Sequence, residues 1–129
     1  MPIISVRSLP LENADTPSML KKLCTGAAEA IGYEPSHIWA TWEFLEPGNY
    51  AVGNRTETMQ SATTHSPIVR VISFEGKPQK DIEKMMRSIA GIISSELNID
   101  IGNIFIEYSE ARSGMVFDGG ETIYKKIKD

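Results

Sequence analysis

The sequence contains its own first half a second time, and this internal repeat is the strongest constraint on its fold. Residues 2–53 correspond to residues 67–120, first at an offset of 65 that aligns Pro2-Ile3 with Pro67-Ile68. One inserted residue then changes the offset to 66. At that offset the matched pairs are Gly32 with Asn98, Ile38-Trp39 with Ile104-Phe105, Trp42 with Tyr108, Gly48 with Gly114, and Gly53 with Gly119. We therefore expect two copies of one supersecondary unit.

Each repeat has the pattern of a strand, a helix and a second strand. In the first repeat, residues 2–8 and 38–44 are rich in β-branched and aromatic residues, which predicts strands. The Asp-Thr-Pro start favours a helix with Thr16 as its N-cap, and Gly32 is placed to end it. The second repeat predicts strands over residues 67–74 and 104–108, and a helix that begins near Pro78, carries an apolar stripe from Ile82 to Leu97 and ends at Asn98.

A strand–helix–strand crossover of this length places its two strands parallel, with a right-handed connection. Two such units predict an α+β (or α/β) fold, in which a four-stranded mixed sheet carries two helices on one face. We expect one domain over residues 1–129, with the polar segment 54–66 as the linker between repeats. The other face of the sheet carries bulky apolar side chains, so self-association is expected.

Composition excludes several classes of protein. The 129 residues include one cysteine, which rules out a disulfide framework and a CxxC metal site. The formal net charge of −4 argues against a nucleic-acid-binding surface. The apolar stretch at the N-terminus is too short for a signal peptide, and no window approaches the ~18 apolar residues of a membrane span. A cytoplasmic protein without membrane association is therefore expected.

The usual catalytic and metal-binding patterns are absent from the sequence. There is no glycine-rich phosphate loop of the GxGxxG or GxxxxGK[ST] type. The spacing of His37 and His65 is not that of a metal pair, so structural or surface roles are favoured for both. Cys24 lies on the apolar side of the first predicted helix and is interpreted as a small core residue. No metal and no cofactor are predicted.

Pro2 is the residue with the most unusual potential reactivity. Removal of Met1 would leave proline as the N-terminal residue, with a secondary amine in place of an amide. Burial and nearby cations both disfavour the protonated form of an amine, and a neutral amine is a good general base. The alternative is that Pro2 is only compatible with the first position of a strand.

The order of these features resembles the tautomerase superfamily. The resemblance is carried by Met-Pro-Ile at the start of a strand, the β-α-β unit of roughly 60 residues, its duplicate beginning Ser66-Pro67-Ile68, and Glu75-Gly76-Lys77, where 4-oxalocrotonate tautomerases commonly have Glu-Gly-Arg. It implies a homotrimer in which the N-terminal proline is the catalytic base or acid. Pro67 is internal, so its nitrogen is an amide and one active site per chain is implied.

The same resemblance implies a set of site residues around Pro2. Lys77 matches a family arginine that binds a substrate carboxylate, and Arg70 is a second candidate cation. Lysine keeps the charge of the arginine but loses its bidentate geometry. Family dehalogenases and decarboxylases have an arginine pair where this chain has Phe74 and Lys77, which counts against those activities. The remaining candidates for the substrate pocket are Tyr33, Phe105, Glu107 and Phe117.

These candidates also have structural alternatives. Arg70 could pair with Glu75 or Glu107, and Lys77 could simply precede the helix. Phe105 and Tyr108 are three residues apart on a strand, so they lie on opposite faces and at least one is expected to pack in the protein.

The resemblance predicts an isomerase, namely a cofactor-independent keto–enol tautomerase of a small 2-oxo acid with Pro2 as general base. One alternative is a hydratase, dehalogenase or decarboxylase of a C3 acid, in which protonated Pro2 is the general acid and Glu107 or Asp118 activates water. A second alternative is a catalytically inactive trimeric interaction module, which retention of Met1 would favour.

Overall fold

The computed structural model describes residues 1–124; residues 125–129, the end of the predicted domain, lie outside the described part. Each repeat forms a strand, a helix, a short 3-10 helix, a second strand and a small hairpin. The first repeat consists of β1 (Ile3–Ser8), α1 (Thr16–Ile31), a 3-10 helix (Pro35–His37), β2 (Trp39–Phe44), β3 (Ala51–Val52) and β4 (Arg55–Thr56). The second consists of β5 (Ile68–Phe74), α2 (Gln79–Leu97), a 3-10 helix (Ile101–Asn103), β6 (Phe105–Ala111), β7 (Val116–Asp118) and β8 (Glu121–Ile123).

The two repeats join into one four-stranded mixed sheet, which confirms the predicted fold class. The strand order is β2-β1-β5-β6. Strands β1 and β2 are parallel, β5 and β6 are parallel, and the central strands β1 and β5 are antiparallel. Alternate residues of the central strands, such as Ile4, Val6, Val69 and Val71, are buried in a core shared with both helices. The other residues of these strands lie on the face without helices, called here the open face.

The positions matched in the sequence also adopt matching backbone conformations. Gly32 and Asn98 both end their helices in the left-handed region, with φ of 71° and 53°. The turn glycines Gly48 and Gly114 have φ of 83° and 82°. The helix start is a correction: the N-cap of α1 is Asp15, not Thr16, because the Asp15 carboxylate accepts a 3.1 Å hydrogen bond from Ser18 N. A carboxylate one residue earlier reaches the free N–H groups of the first turn.

The segment predicted as a linker is tied to the rest of the fold by buried polar side chains. Residues Arg55–Thr56 form β4, and the ring of His65 is almost fully buried, with Nε2 3.0 Å from Arg55 O. From the second repeat, Asn103 Nδ2 donates to the backbone oxygens of Ser61 and Thr64 at 3.1 and 2.9 Å. His65 therefore has the structural role that was favoured for it.

The open face presents both apolar and charged side chains. Trp39 and Phe105 are 48% and 54% exposed and lie near opposite corners of the sheet. Between them, Arg70 pairs with Glu107 at 3.5 Å on neighbouring strands. Within residues 1–124, no helix is both long enough and apolar enough to cross a membrane.

Candidate functional site

Pro2 lies at the edge of the core, on the side of the sheet that faces the helices. Its side chain is fully buried, like those of Ile4 and Val6 further along β1. Its carbonyl oxygen accepts a 3.0 Å hydrogen bond from Trp39 N, which fixes the start of β1 against β2. Since Ile3 pairs with Ile72 in the antiparallel ladder, one further step of the same register sets Pro2 opposite Ser73.

Lys77 extends back over this end of the sheet. It follows Gly76, whose φ of 101° turns the chain sharply between β5 and α2. The Lys77 ammonium donates a 2.9 Å hydrogen bond to Ser73 Oγ and lies 4.8 Å from the centroid of the Tyr33 ring. An ammonium over an aromatic face is attracted by the ring quadrupole. Lys77, Ser73 and Tyr33 therefore form one cluster at the Pro2 end of the sheet.

Tyr108 completes this cluster from β6. Its hydroxyl oxygen is buried and has no hydrogen-bond partner among the described residues. Burial raises the pKa of Tyr108, the nearby Glu110 and Tyr33 act in the same direction, and the Ser73 hydroxyl lies close enough to lower it partly. Tyr108 thus keeps its proton to a higher pH than an exposed tyrosine does.

A cleft opens beside Met1, the residue before Pro2. It has a volume of about 300 Å³ and is lined by Met1, Ser36, His37, Trp39 and Asp118. Ser36 and His37 come from the 3-10 helix before β2, and Asp118 comes from the hairpin formed by β7 and β8. Met1 is one wall of this cleft, and Pro2 is the next residue in the chain.

The opposite end of the central strands has the same backbone but different side chains. Pro67 O accepts from Phe105 N at 3.1 Å, as Pro2 O does from Trp39 N. The residue four positions after Ser73 is Lys77, whereas the residue four positions after Ser8 is Glu12. The counterpart of Tyr33 is Ile99. The cation and its aromatic partner therefore occur only at the Pro2 end of these two equivalent places.

Comparisons with known proteins identify the fold. No protein-family model and no curated protein matches the sequence. Among solved structures, a fused 4-OT described as a wild-type asymmetric trimer superposes with a TM-score of 0.80 at 18% identity, over 93% of this chain and 94% of that one. A macrophage migration inhibitory factor-like protein from Entamoeba histolytica gives a TM-score of 0.72 at 15% identity, over 95% and 98%. A member of the cis-3-chloroacrylic acid dehalogenase family gives 0.76 at 10% identity, over 94% and 82%.

The chain has the same fold as these fused 4-OT and macrophage migration inhibitory factor-like structures. On this fold, the site residues expected from the sequence fall into two groups. Lys77 and Tyr33 contact each other at the end of the sheet where Pro2 precedes β1. Arg70, Glu107 and Phe105 project from the open face, where Arg70 is 67% exposed and paired with Glu107.

Phe117 belongs to neither group within one chain. It lies on β7 and is 72% exposed. In a monomer, the residues of the open face and Phe117 are thus available to another surface, whereas Lys77 lies at the Pro2 end of the sheet.

Ser73 and Tyr108 were not among the predicted site residues. A serine in an otherwise apolar strand, Ile68–Phe74, and a tyrosine where the first repeat has Trp42 were the available signals. Both residues are on the side of the sheet that faces the helices, where a polar group needs a partner.

Two further groups of residues bear on possible chemistry. Cys24 Sγ donates to Ile38 O at 3.3 Å, and burial raises the pKa of this thiol, in keeping with its interpretation as a core residue. Within residues 1–124, no three side chains of His, Cys, Asp or Glu lie close enough together to hold a metal ion.

Proposed function

We propose that the chain is a keto–enol tautomerase of small 2-oxo acids, with the secondary amine of Pro2 as general base once Met1 has been removed. The observation that carries the proposal is the difference between the two ends of the sheet. Both ends keep the proline, the serine and the backbone geometry, but only the Pro2 end has a cation, Lys77, beside them. A site for an anionic substrate needs that charge.

Removal of Met1 would change the cleft beside Pro2. Because Met1 is a wall of the cleft and is bonded to the Pro2 nitrogen, its loss would extend the cleft to that nitrogen. The amine would then lie at the edge of a buried core, next to Lys77. Desolvation and a neighbouring ammonium both favour the neutral, basic form of an amine.

The proposed reaction moves one proton between carbon and oxygen. Pro2 N accepts the proton from the carbon next to the keto group and returns it to the enolate oxygen, or carries out the reverse. Lys77 binds the carboxylate and stabilises the negative charge that develops in the transition state. If Pro2 N and the Lys77 ammonium are held at a fixed distance, a substrate whose carboxylate is bound to Lys77 has its reacting carbon placed next to Pro2 N.

The fold neighbours support this choice of chemistry. Several are described as fused 4-OT, and another was solved as a protein inactivated by 2-oxo-3-pentynoate, at a TM-score of 0.79 and 12% identity. That compound is a small 2-oxo acid whose activated alkyne accepts nucleophiles. It is a suitable probe for an amine that we propose to be neutral and next to a carboxylate-binding cation.

The test compares two forms of the same protein. Protein with Met1 removed and protein that retains Met1, produced with methionine aminopeptidase inhibited, are matched for oligomeric state. We expect only the processed form to tautomerise phenylenolpyruvate, and only that form to gain a 2-oxo-3-pentynoate adduct that peptide mass spectrometry places on Pro2. An amide nitrogen has no lone pair for proton transfer, so equal rates in both samples would remove Pro2 from the mechanism.

Asp118 supports a second candidate function. Its carboxylate lines the cleft next to Met1, while Glu107, the other candidate, is paired with Arg70 on the open face. A carboxylate in that place could activate water for addition to an unsaturated C3 acid, with protonated Pro2 as the acid. Hydration activity that is lost in Asp118→Asn, with tautomerase activity absent throughout, would favour this alternative.

A further inference from the structure

We propose that Ser73 and Tyr108 are positioning residues that hold the Lys77 ammonium at the Pro2 end of the sheet. In our interpretation, the exchange of a tryptophan for a tyrosine between the two repeats is what frees the serine for this task. The argument rests on hydrogen-bonding groups at equivalent places in the two repeats. Its consequence for catalysis rests on the proposed function, whereas its consequence for Lys77 does not.

In the first repeat the serine hydroxyl both accepts and donates a hydrogen bond. Trp42 Nε1 donates to Ser8 Oγ at 3.0 Å, and Ser8 Oγ donates to Leu9 O at 3.0 Å. An indole N–H is a donor only, so it needs an acceptor when it is buried. The indole therefore occupies one of the two acceptor sites of the Ser8 hydroxyl, whereas no indole competes with Lys77 for Ser73.

In the second repeat the matching aromatic residue, Tyr108, has no indole N–H to donate to the serine. Tyr108 pairs with Val71 on the helix-facing side, just as Trp42 pairs with Val6. A phenol can accept as well as donate a hydrogen bond, and Ser73 Oγ accepts from Lys77 Nζ at 2.9 Å. A hydroxyl that accepts from an ammonium turns its own proton elsewhere. The buried oxygen of Tyr108 has no hydrogen-bond partner among the described residues and lies near enough for Ser73 to affect the pKa of Tyr108, so in this proposal it is the group towards which that proton turns.

Lysine needs this support more than arginine would. Its ammonium is a point charge on a flexible four-carbon chain, whereas the arginine fork fixes its own geometry on a carboxylate. Here Ser73 Oγ accepts a hydrogen bond from Lys77 Nζ, and the centroid of the Tyr33 ring lies 4.8 Å from the same nitrogen. These two contacts fix the position of the ammonium. Lys77 therefore loses its side-chain conformational freedom when the protein folds, and this entropy is not lost when the substrate binds.

The first arm of the test does not depend on enzymatic activity. Nitrogen-15 relaxation of the lysine ammonium groups measures how far each Nζ is restricted, with the exposed Lys80 as internal reference. We expect Lys77 Nζ to be restricted in the wild type and as mobile as Lys80 in Ser73→Ala. Tyr108→Phe should give an intermediate value, and Ser73→Thr, which keeps the hydroxyl, should behave like the wild type.

The matched control is Ser8→Ala, which removes the equivalent hydroxyl from the other repeat. It loses the bond from Trp42 and leaves the Lys77 site intact. Lys77 should therefore remain restricted in Ser8→Ala. A wild-type Lys77 as mobile as Lys80, or equal effects of Ser73→Ala and Ser8→Ala, would overturn the proposal, and an unchanged value in Tyr108→Phe would remove Tyr108 from it.

The second arm measures kinetics on the carboxylate substrate. Ser73→Ala should raise KM about tenfold, the size expected for one hydrogen bond to a charged group, while kcat changes by less than about twofold. Ser73→Thr should restore KM, and Ser8→Ala should leave it unchanged. A fall in kcat alone would contradict a positioning role. If the wild type shows no tautomerase activity, the proposed function fails while the relaxation data still decide the role of Ser73.

Discussion

The Lys77 ammonium lies 4.8 Å from the centroid of the Tyr33 ring, and this contact joins the two repeats at the proposed site. Tyr33 follows the left-handed cap that ends α1, and its backbone N–H donates to Ala28 O at 2.9 Å. Lys77 precedes α2 by two residues. The end of one helix and the beginning of the other therefore set the position of Lys77, so the proposed site depends on the packing of both repeats.

Lys77→Met should lower kcat/KM for a carboxylate substrate by about 10- to 100-fold, mainly through KM. Methionine keeps the apolar stem against Tyr33 but removes the charge, and a charge-assisted contact contributes about 1.5–3 kcal/mol. Steady-state kinetics on phenylenolpyruvate measure the effect. Lys80→Met, an exposed lysine at the start of the same helix, is the matched control and should leave kcat/KM unchanged. Equal kinetics in Lys77→Met and wild type would show that Lys77 only precedes the helix.

The repeat in the sequence predicted the sheet and both crossovers, and the structure shows why. Positions such as Gly32 and Asn98 need a left-handed backbone, a requirement that few residues meet and that the sequence therefore displays.

Other features depend on groups far apart in the chain. The order of the segment 54–66 rests on Asn103, whose amide reaches Ser61 and Thr64, about 40 residues away, and no local pattern reveals such bonds. The placement of Arg70 away from Pro2 follows from strand register. The cluster of Ser73, Tyr108 and Lys77 required both the register of β5 with β6 and the turn at Gly76.

The helix caps should respond in the same way in both repeats. Gly32→Ala adds a Cβ to a left-handed backbone, and Asn98→Ala removes the short polar side chain that lets asparagine adopt it, so each should lower the free energy of unfolding by about 1 kcal/mol. Asn98→Gly should be close to neutral, since glycine adopts this conformation without strain. Urea unfolding measures all three variants, and an Asn98→Ala variant as stable as Asn98→Gly would contradict the equivalence of the two caps.

Stability at alkaline pH should depend on Tyr108. Burial raises the pKa of Tyr108 above its usual value of about 10, so the native state keeps a proton that the unfolded chain loses at that pH. The native state then binds more protons, and the free energy of unfolding falls as the pH rises above about 10. Burial raises the pKa of Tyr50 and Cys24 as well, which adds to the same decline.

Tyr108→Phe should therefore make the loss of stability above pH 10 less steep than in the wild type. The matched control is Tyr124→Phe, which removes the same hydroxyl from a side chain that is 78% exposed. Urea unfolding at several pH values from 8 upward, with the slope against pH compared between variants, measures the effect. A Tyr108→Phe variant with the wild-type slope would show that the phenol ionises equally easily in both states.

The open face should be the surface through which the chain assembles. It exposes Trp39 and Phe105 at opposite corners of the sheet, and several of the solved structures that share the fold are described as trimers. We predict a homotrimer, since closed symmetry leaves no open face unpaired. Sedimentation equilibrium at micromolar concentration should give about three chain masses.

The decisive variant is Trp39→Lys, which places a charge among the apolar side chains of that face. Burying an unpaired charge is costly, so the assembly should dissociate into monomers, while helical content measured by circular dichroism is retained because Trp39 is not part of the core. Thr25→Lys adds the same single positive charge at an exposed position of α1 and should leave the trimer intact. An intact trimer in Trp39→Lys would place the interface elsewhere, and wild-type protein that sediments as a monomer would contradict assembly through the open face.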